Sequence, residues 1–278
     1  MNKLNINLFS LFLLFMPGQF ILSQNIIIPN EIKDYSFYNT KAEYFNSKIV
    51  ADSFFILISV PDGYYSSEKR YPVLYVLDGD IAYGMAASIS RYLQIGNNIP
   101  ELIVVGIGYG SLTKKVAEKR NRDYRPGESG GAENFLKFLN EELIPYVNNS
   151  YRTISDDKTI NGYSLGGLFG LFTLFTFPES FNKYIIGSPN LSWDDYSVFK
   201  YEENSPQKID DLQLNIFISV GSDESEDRYF NPVDSLVTNI QNHNYTGVNI
   251  DTQVFNGSTH LMGPPESLTH GLISVFRR

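Results

Sequence analysis

The chain has 278 residues, a formal charge of −9 and no cysteine. That length holds one sizeable α/β domain and little more. The missing cysteine excludes disulfides, a lipidated cysteine, thiolate metal sites and a cysteine nucleophile, and the acidic balance argues against nucleic-acid or anionic-membrane binding.

At the start, Lys3 supplies a positive residue, residues 8–15 are almost unbroken apolar, and Ser23 precedes Gln24 as a cleavage point. This predicts a signal peptide over 1–23 and a single domain over 24–278, secreted or periplasmic. Pro17 and Gly18 leave the apolar run too short and too interrupted for a membrane anchor.

Residues 42–60 are strand-like and end at the turn Pro61-Asp62-Gly63. The continuous apolar runs 72–77 and 102–107 fit strands buried on both faces, with a crossover helix over 81–93 between them. Lys114, Lys115, Lys119, Arg120, Arg122 and Arg125 then concentrate positive charge, partly offset by Glu118 and Asp123. This stretch reads as a solvated loop leading into the flexible, lid-like residues 126–131. An amphipathic helix is expected over 133–147, kinked at Pro145. Strands at 184–186, 214–220 and 250–255, and helices at 233–243 and 266–276, complete the chain. The alternation predicts a three-layer α/β fold, a mostly parallel central sheet with helices on both faces.

Within that pattern lies Gly162-Tyr163-Ser164-Leu165-Gly166-Gly167, preceded by a strand-like stretch and followed by an apolar helical one. A serine hydroxyl is a poor nucleophile. It needs a sharp, exposed turn, a base and backbone N–H groups for the oxyanion, and glycines two residues to either side permit such a turn. The chain has three histidines. His243 ends a helix and reads as solvated, His270 lies within the last helix, and His260 follows the last strand in a glycine-containing loop. His260 is therefore the expected base. An acid should follow an intervening strand. Residues 214–220 run into Ser222-Asp223-Glu224-Ser225-Glu226-Asp227, where spacing alone does not choose among four carboxylates. Leu165 is expected to give one oxyanion N–H, and Asp80, in the turn Asp78-Gly79-Asp80 after the strand at 72–77, the other. No His/carboxylate cluster has metal-ligand spacing, and Gly106-Ile107-Gly108-Tyr109-Gly110 lacks the dinucleotide fingerprint, so neither metal nor cofactor is expected.

Together these segments resemble the putative-esterase family of α/β-hydrolases. That family includes the esterases that open trilactone siderophores, S-formylglutathione hydrolase and, more distantly, the mycolyltransferases. The carriers are the residues from Tyr71 to Asp80, Arg120-Asn121-Arg122-Asp123-Tyr124-Arg125-Pro126, Gly162 to Gly167, Ser188-Pro189-Asn190-Leu191-Ser192-Trp193-Asp194, and Gly257-Ser258-Thr259-His260. The resemblance implies an α/β-hydrolase fold with Ser164 as nucleophile, His260 as base, and Leu165 and Asp80 as oxyanion donors. A Gly-x-x-Glu pattern at Gly221-Ser222-Asp223-Glu224 favours Glu224 as the acid, with Asp223 second. It also sets Arg120, Arg122, Tyr124 and Trp193 beside the substrate, expected to be a small ester or lactone such as a siderophore trilactone. An acyltransferase built on the same acyl-enzyme, or a non-catalytic binding protein on this scaffold, are the alternatives.

Overall fold

The computed structural model describes residue 37 and residues 39–277, apart from 206–208, 211 and 244; the expected signal peptide at 1–23 lies outside the described residues. The strand-like stretch 42–60 is a hairpin. Strands β1 (Thr40–Ser47) and β2 (Asp52–Ser59) pair antiparallel with Ser47 opposite Asp52. Their turn has neither glycine nor proline. Ala51 takes the left-handed position at φ 57°, and Ser47 Oγ accepts the Val50 N–H at 3.0 Å.

Strands β3 (Tyr71–Val76), β4 (Ile103–Gly108), β5 (Thr153–Tyr163), β6 (Lys183–Gly187), β7 (Leu214–Gly221) and β8 (Val248–Phe255) are parallel. They join β1 and β2 in one sheet of order β1-β2-β4-β3-β5-β6-β7-β8, with β2 antiparallel to β4. Helices α1 (Gly79–Ile95), α2 (Lys114–Tyr124), α3 (Ala132–Phe138), α4 (Ile144–Ser150), α5 (Leu165–Thr176), α6 (Val198–Glu203), α7 (Asn231–His243) and α8 (Gly263–Val275) connect them. Among the described residues no helix is long and apolar enough to cross a membrane.

Side chains alternate between the faces of a strand, and β3 shows the consequence. Tyr71, Val73 and Tyr75 enter one apolar layer, while Leu74 and Val76 enter the other. The second layer is closed by Tyr83 and Ala86 of α1 and Leu268 and Leu272 of α8; helices α2 to α7 supply the first. Helix α5 is buried along nearly its whole length, as expected of a segment apolar on every side. The helix predicted over 133–147 widens into a π turn at Leu139–Leu143 between α3 and α4. Pro145 sits just beyond it, where its missing N–H and its ring would otherwise disrupt a regular helix.

The topology also fixes where a site can form. From β3 the chain crosses to β4 on one side, by α1 on one face. From neighbouring β5 it crosses to β6 on the other side, by α5 on the opposite face. Such a reversal opens a crevice at the carboxyl ends of the two strands. Asp78 follows β3 and Ser164 follows β5, so both stand at its mouth.

Candidate active site

Ser164 forms the turn between β5 and α5 with φ 58° and ψ −116°. A non-glycine residue held there costs about 1 kcal/mol or more and persists only where its surroundings impose it. Here the Ser164 N–H donates to Gly187 O at 2.9 Å, and Ser164 O accepts from Leu168 N and Asn190 N, each at 3.0 Å. Glycine at 162 is a steric requirement, because a Cβ there would overlap the Gly166 carbonyl. Leu165 opens α5, so its N–H has no acceptor within the helix and lies at the positive end of the helix dipole.

The facing turn is built around Asp78, at φ 55°. Its N–H donates to Tyr124 Oη at 3.0 Å. Its carboxylate takes both arms of Arg120, Nε at 2.6 Å and Nη2 at 2.9 Å, and Nη2 also donates to Tyr163 O at 3.3 Å. Gly79 lets α1 begin against β4, since a Cβ there would come within 2.6 Å of Ile107 N. The Asp80 carboxylate accepts the N–H groups of Tyr109 at 2.5 Å and Gly110 at 2.7 Å, which leaves its own N–H as a first-turn donor of α1. One guanidinium thus ties the turn carrying Asp80 to the strand end carrying Ser164. Arg120→Met is expected to cut ester turnover (kcat) roughly 100-fold with KM little changed, because misplacing the two donors by about 1 Å costs that much. Arg120→Lys should recover only part, lacking the planar fork. Steady-state kinetics with a thermal-unfolding control check it, and an unchanged kcat would contradict this role.

His260 lies in the loop between β8 and α8, and its Nδ1 is 2.6 Å from Glu224 Oε2. Tyr229 stacks on the imidazole with ring centroids 4.4 Å apart, and Tyr163 lies 5.1 Å away at a tilt. Glu224 Oε1 accepts from Gly221 N at 2.9 Å, from Tyr163 Oη at 3.5 Å, and from Ser188 Oγ. Its side chain is fully buried. Burial pushes the carboxyl pKa up, but the bonds from His260, Ser188 and Gly221 N–H outweigh it and hold the group below the usual carboxylate range. Asp223 is exposed, and its carboxylate accepts only the neighbouring Ser222 Oγ among the described residues. The carboxylate bonded to His260 is therefore Glu224. Ser164 and His260 share no direct hydrogen bond among the described residues. Such bonds are commonly long in unliganded sites and tighten on substrate.

The basic stretch departs from expectation. Residues 114–124 form the helix α2, and three of its cations are paired within the protein: Arg120 with Asp78, Arg122 with Asp123 through Nε (2.6 Å) and Asp52 through Nη1 (2.9 Å), and Lys119 with Asp52 at 2.6 Å. Tyr124 has no solvent exposure. Of the residues expected beside the substrate, Arg120 and Arg122 are bonded to carboxylates and Tyr124 to the Asp78 N–H. Trp193 is half-buried under the guanidinium of Arg125. His243 is also not simply solvated, since its Nε2 is 2.9 Å from the buried Glu202. His270 packs on Phe255 with ring centroids 5.3 Å apart. Sequence reasoning gave no role to Ser188, Tyr163, Tyr229 or Asp78. For Ser188 a signal existed, a Ser-Pro pair directly after a buried strand, but its partner Glu224 is 36 residues away.

A sheet of this order, a strained serine at a strand–helix elbow and a carboxylate-bonded histidine after the last strand define an α/β-hydrolase. Residues 47–263 match the family described as "Putative esterase", and the chain belongs to that family. The ferri-bacillibactin esterase BesA of Bacillus subtilis is 33% identical over 175 residues, 54% of this chain and 59% of that protein. The siderophore triacetylfusarinine C esterase of Aspergillus fumigatus is 32% identical over 133 residues, 44% of this chain and 45% of the relative. The matched stretch thus spans less than two thirds of either relative. Among solved structures, the BES protein from Bacillus cereus superposes with a TM-score of 0.81 at 28% identity, covering 89% of this chain and 98% of that one. The siderophore hydrolase EstB from Aspergillus nidulans, at TM-score 0.72 and 21% identity, covers 88% of this chain and 97% of its own and shares the fold.

Proposed function

We propose that the protein is an exported serine ester hydrolase that acts through an acyl-enzyme on a small ester or lactone. Ser164 Oγ attacks the carbonyl carbon while its proton passes to His260 Nε2, and the carbonyl electron pair moves onto oxygen. The N–H groups of Leu165 and Asp80 receive that oxyanion. Collapse breaks the bond to the leaving alcohol, which takes the proton from His260. Water, deprotonated by the same imidazole, then releases the acid. Glu224 fixes the tautomer with the proton on Nδ1, so that Nε2 is the base.

The single observation behind this reading is the 2.6 Å bond from His260 to a buried, ionised Glu224. A siderophore trilactone is the proposed substrate, supported by relatives described as siderophore esterases. Export rests on Lys3 and the apolar run at 8–15. The test is a panel of a ferric catecholate trilactone, an acetylated sugar, a feruloyl ester and a short p-nitrophenyl ester. Opening of the trilactone with the highest kcat/KM is expected. A preference for another ester would overturn the substrate, and no turnover of any would overturn the hydrolase.

A further inference from the structure

Arg125 stands apart from the other arginines of its stretch. Arg120 and Arg122 each make a two-pronged bond to a carboxylate. The Arg125 side chain has no hydrogen-bond or ion-pair partner among the described residues, and its Nε is buried and unsatisfied. Its guanidinium carbon lies 3.7 Å from the centre of the Trp193 ring, whose own Nε1–H is likewise buried without a partner. The Nη groups of Arg125 are absent from the buried, unsatisfied atoms, so they reach solvent. Two unsatisfied N–H donors on one stacked pair are uncommon in native interiors, where buried polar groups are nearly all paired. Burial and the nearby charge of Arg120 both lower the pKa of Arg125, as in a site that favours an added anion.

Arg125 directly follows Tyr124, whose hydroxyl accepts the N–H of Asp78 in the turn facing Ser164. Trp193 comes three residues after Asn190, whose N–H bonds the carbonyl of Ser164, and Arg120 reaches the carbonyl of Tyr163. Directly after Trp193, Asp194, Asp195 and Tyr196 are all left-handed, with φ 49°, 49° and 59°. Strain of this kind in non-glycine residues collects at ligand clamps and active sites. Asp194 is the adjacent carboxylate, but it makes no ion pair with Arg125. Its Oδ2 lies 3.3 Å from where a Cβ on Gly127 would stand.

We infer that the Arg125–Trp193 pair is a subsite for a negatively charged oxygen group on the ester, with Arg125 determining specificity. The inference rests on ester hydrolysis at Ser164. The guanidinium gives charge-assisted bonds through its solvent-facing Nη edge, and Trp193 holds it in place and offers an aromatic wall. The carboxylate or phenolate oxygen of an aryl ester has the chemistry to fit. Arg120 and Arg122 of α2, each already paired with a carboxylate, do not supply this recognition.

The test compares 4-acetoxybenzoate with 4-acetoxybenzamide, which share the acetyl group and differ in the charge on the leaving phenol. In the wild type the ratio of kcat/KM, benzoate over benzamide, should exceed one. It should fall about tenfold in Arg125→Met, the size expected for losing a bond to a charged group, and less in Arg125→Lys, which keeps the charge without the fork. Thermal unfolding verifies that each variant is folded. Should Arg125→Met not fold, the wild-type ratio and the lysine variant carry the test. A wild-type ratio below one, or one unaltered by these substitutions, overturns the subsite while leaving the hydrolase reading intact. Failure of the wild type to cleave either ester overturns the hydrolase reading itself.

Discussion

Ser164→Ala is expected to lower kcat for ester hydrolysis by roughly 10⁴-fold or more, and His260→Ala by a similar factor. The double variant should be little worse than either single one, because nucleophile and base act as a unit and losing one makes the other idle. The turn itself should survive. Its conformation is imposed by the Ser164 backbone bonds to Gly187, Leu168 and Asn190, none of which uses the hydroxyl. Loss of activity with a thermal midpoint close to that of the wild type is therefore the expected pair of results. Steady-state kinetics on a chromogenic ester and a melting curve measure both. Turnover within tenfold of wild type in either single variant would contradict the mechanism.

The second large effect is at Glu224. Glu224→Ala should reduce kcat by about 10³-fold or more, through loss of the group that orients the imidazole and stabilises its cation. It should also destabilise the fold by about 3 kcal/mol, because it leaves the buried donors of Ser188 and Gly221 without their acceptor. Asp223→Ala should change neither quantity appreciably, its carboxylate being exposed and bonded only to Ser222. Glu224→Gln separates charge from shape, and the sign of its pH dependence follows from the lowered pKa. A carboxyl held below its unfolded value adds stability above that value and loses it as pH falls through the folded one. The stability gap between wild type and Glu224→Gln should therefore be full at neutral pH and close only in acid, below the ordinary glutamate value of 4.5. Unfolding measured across pH checks this. A gap that narrowed between neutral pH and about 5 would contradict the assignment of Glu224 as the ionised partner.

How much of this was legible in the sequence depended on the range of the interaction. Apolar runs such as 72–77 and 102–107 predict strands buried on both faces, and β3 and β4 occupy them. The serine elbow was also legible, since Gly162 and Gly166 stand within two residues of Ser164 and the steric reason for Gly162, the Gly166 carbonyl, is local. Helix α2 was not. It has almost no apolar periodicity, its buried residues are Asp123 and Tyr124, and Arg120 and Arg122 find their partners Asp78 and Asp52 at 42 and 70 residues' distance. The hairpin of β1 and β2 was hidden because Ala51 occupies the left-handed position where glycine usually marks a turn. Spacing alone did not choose between Asp223 and Glu224, and only the resemblance, through Gly221-Ser222-Asp223-Glu224, favoured the second. The turn after β7 directs Glu224 inward, onto Gly221 N and His260, and leaves Asp223 outside.

The central claim, that Ser164 is the activated nucleophile of this site, is most directly tested by treating the protein with a fluorophosphonate and measuring intact mass and the modified peptide. A single adduct on the peptide carrying Ser164, abolished in Ser164→Ala and slowed in His260→Ala, is the predicted result. No adduct, or an adduct on a different residue, would contradict it.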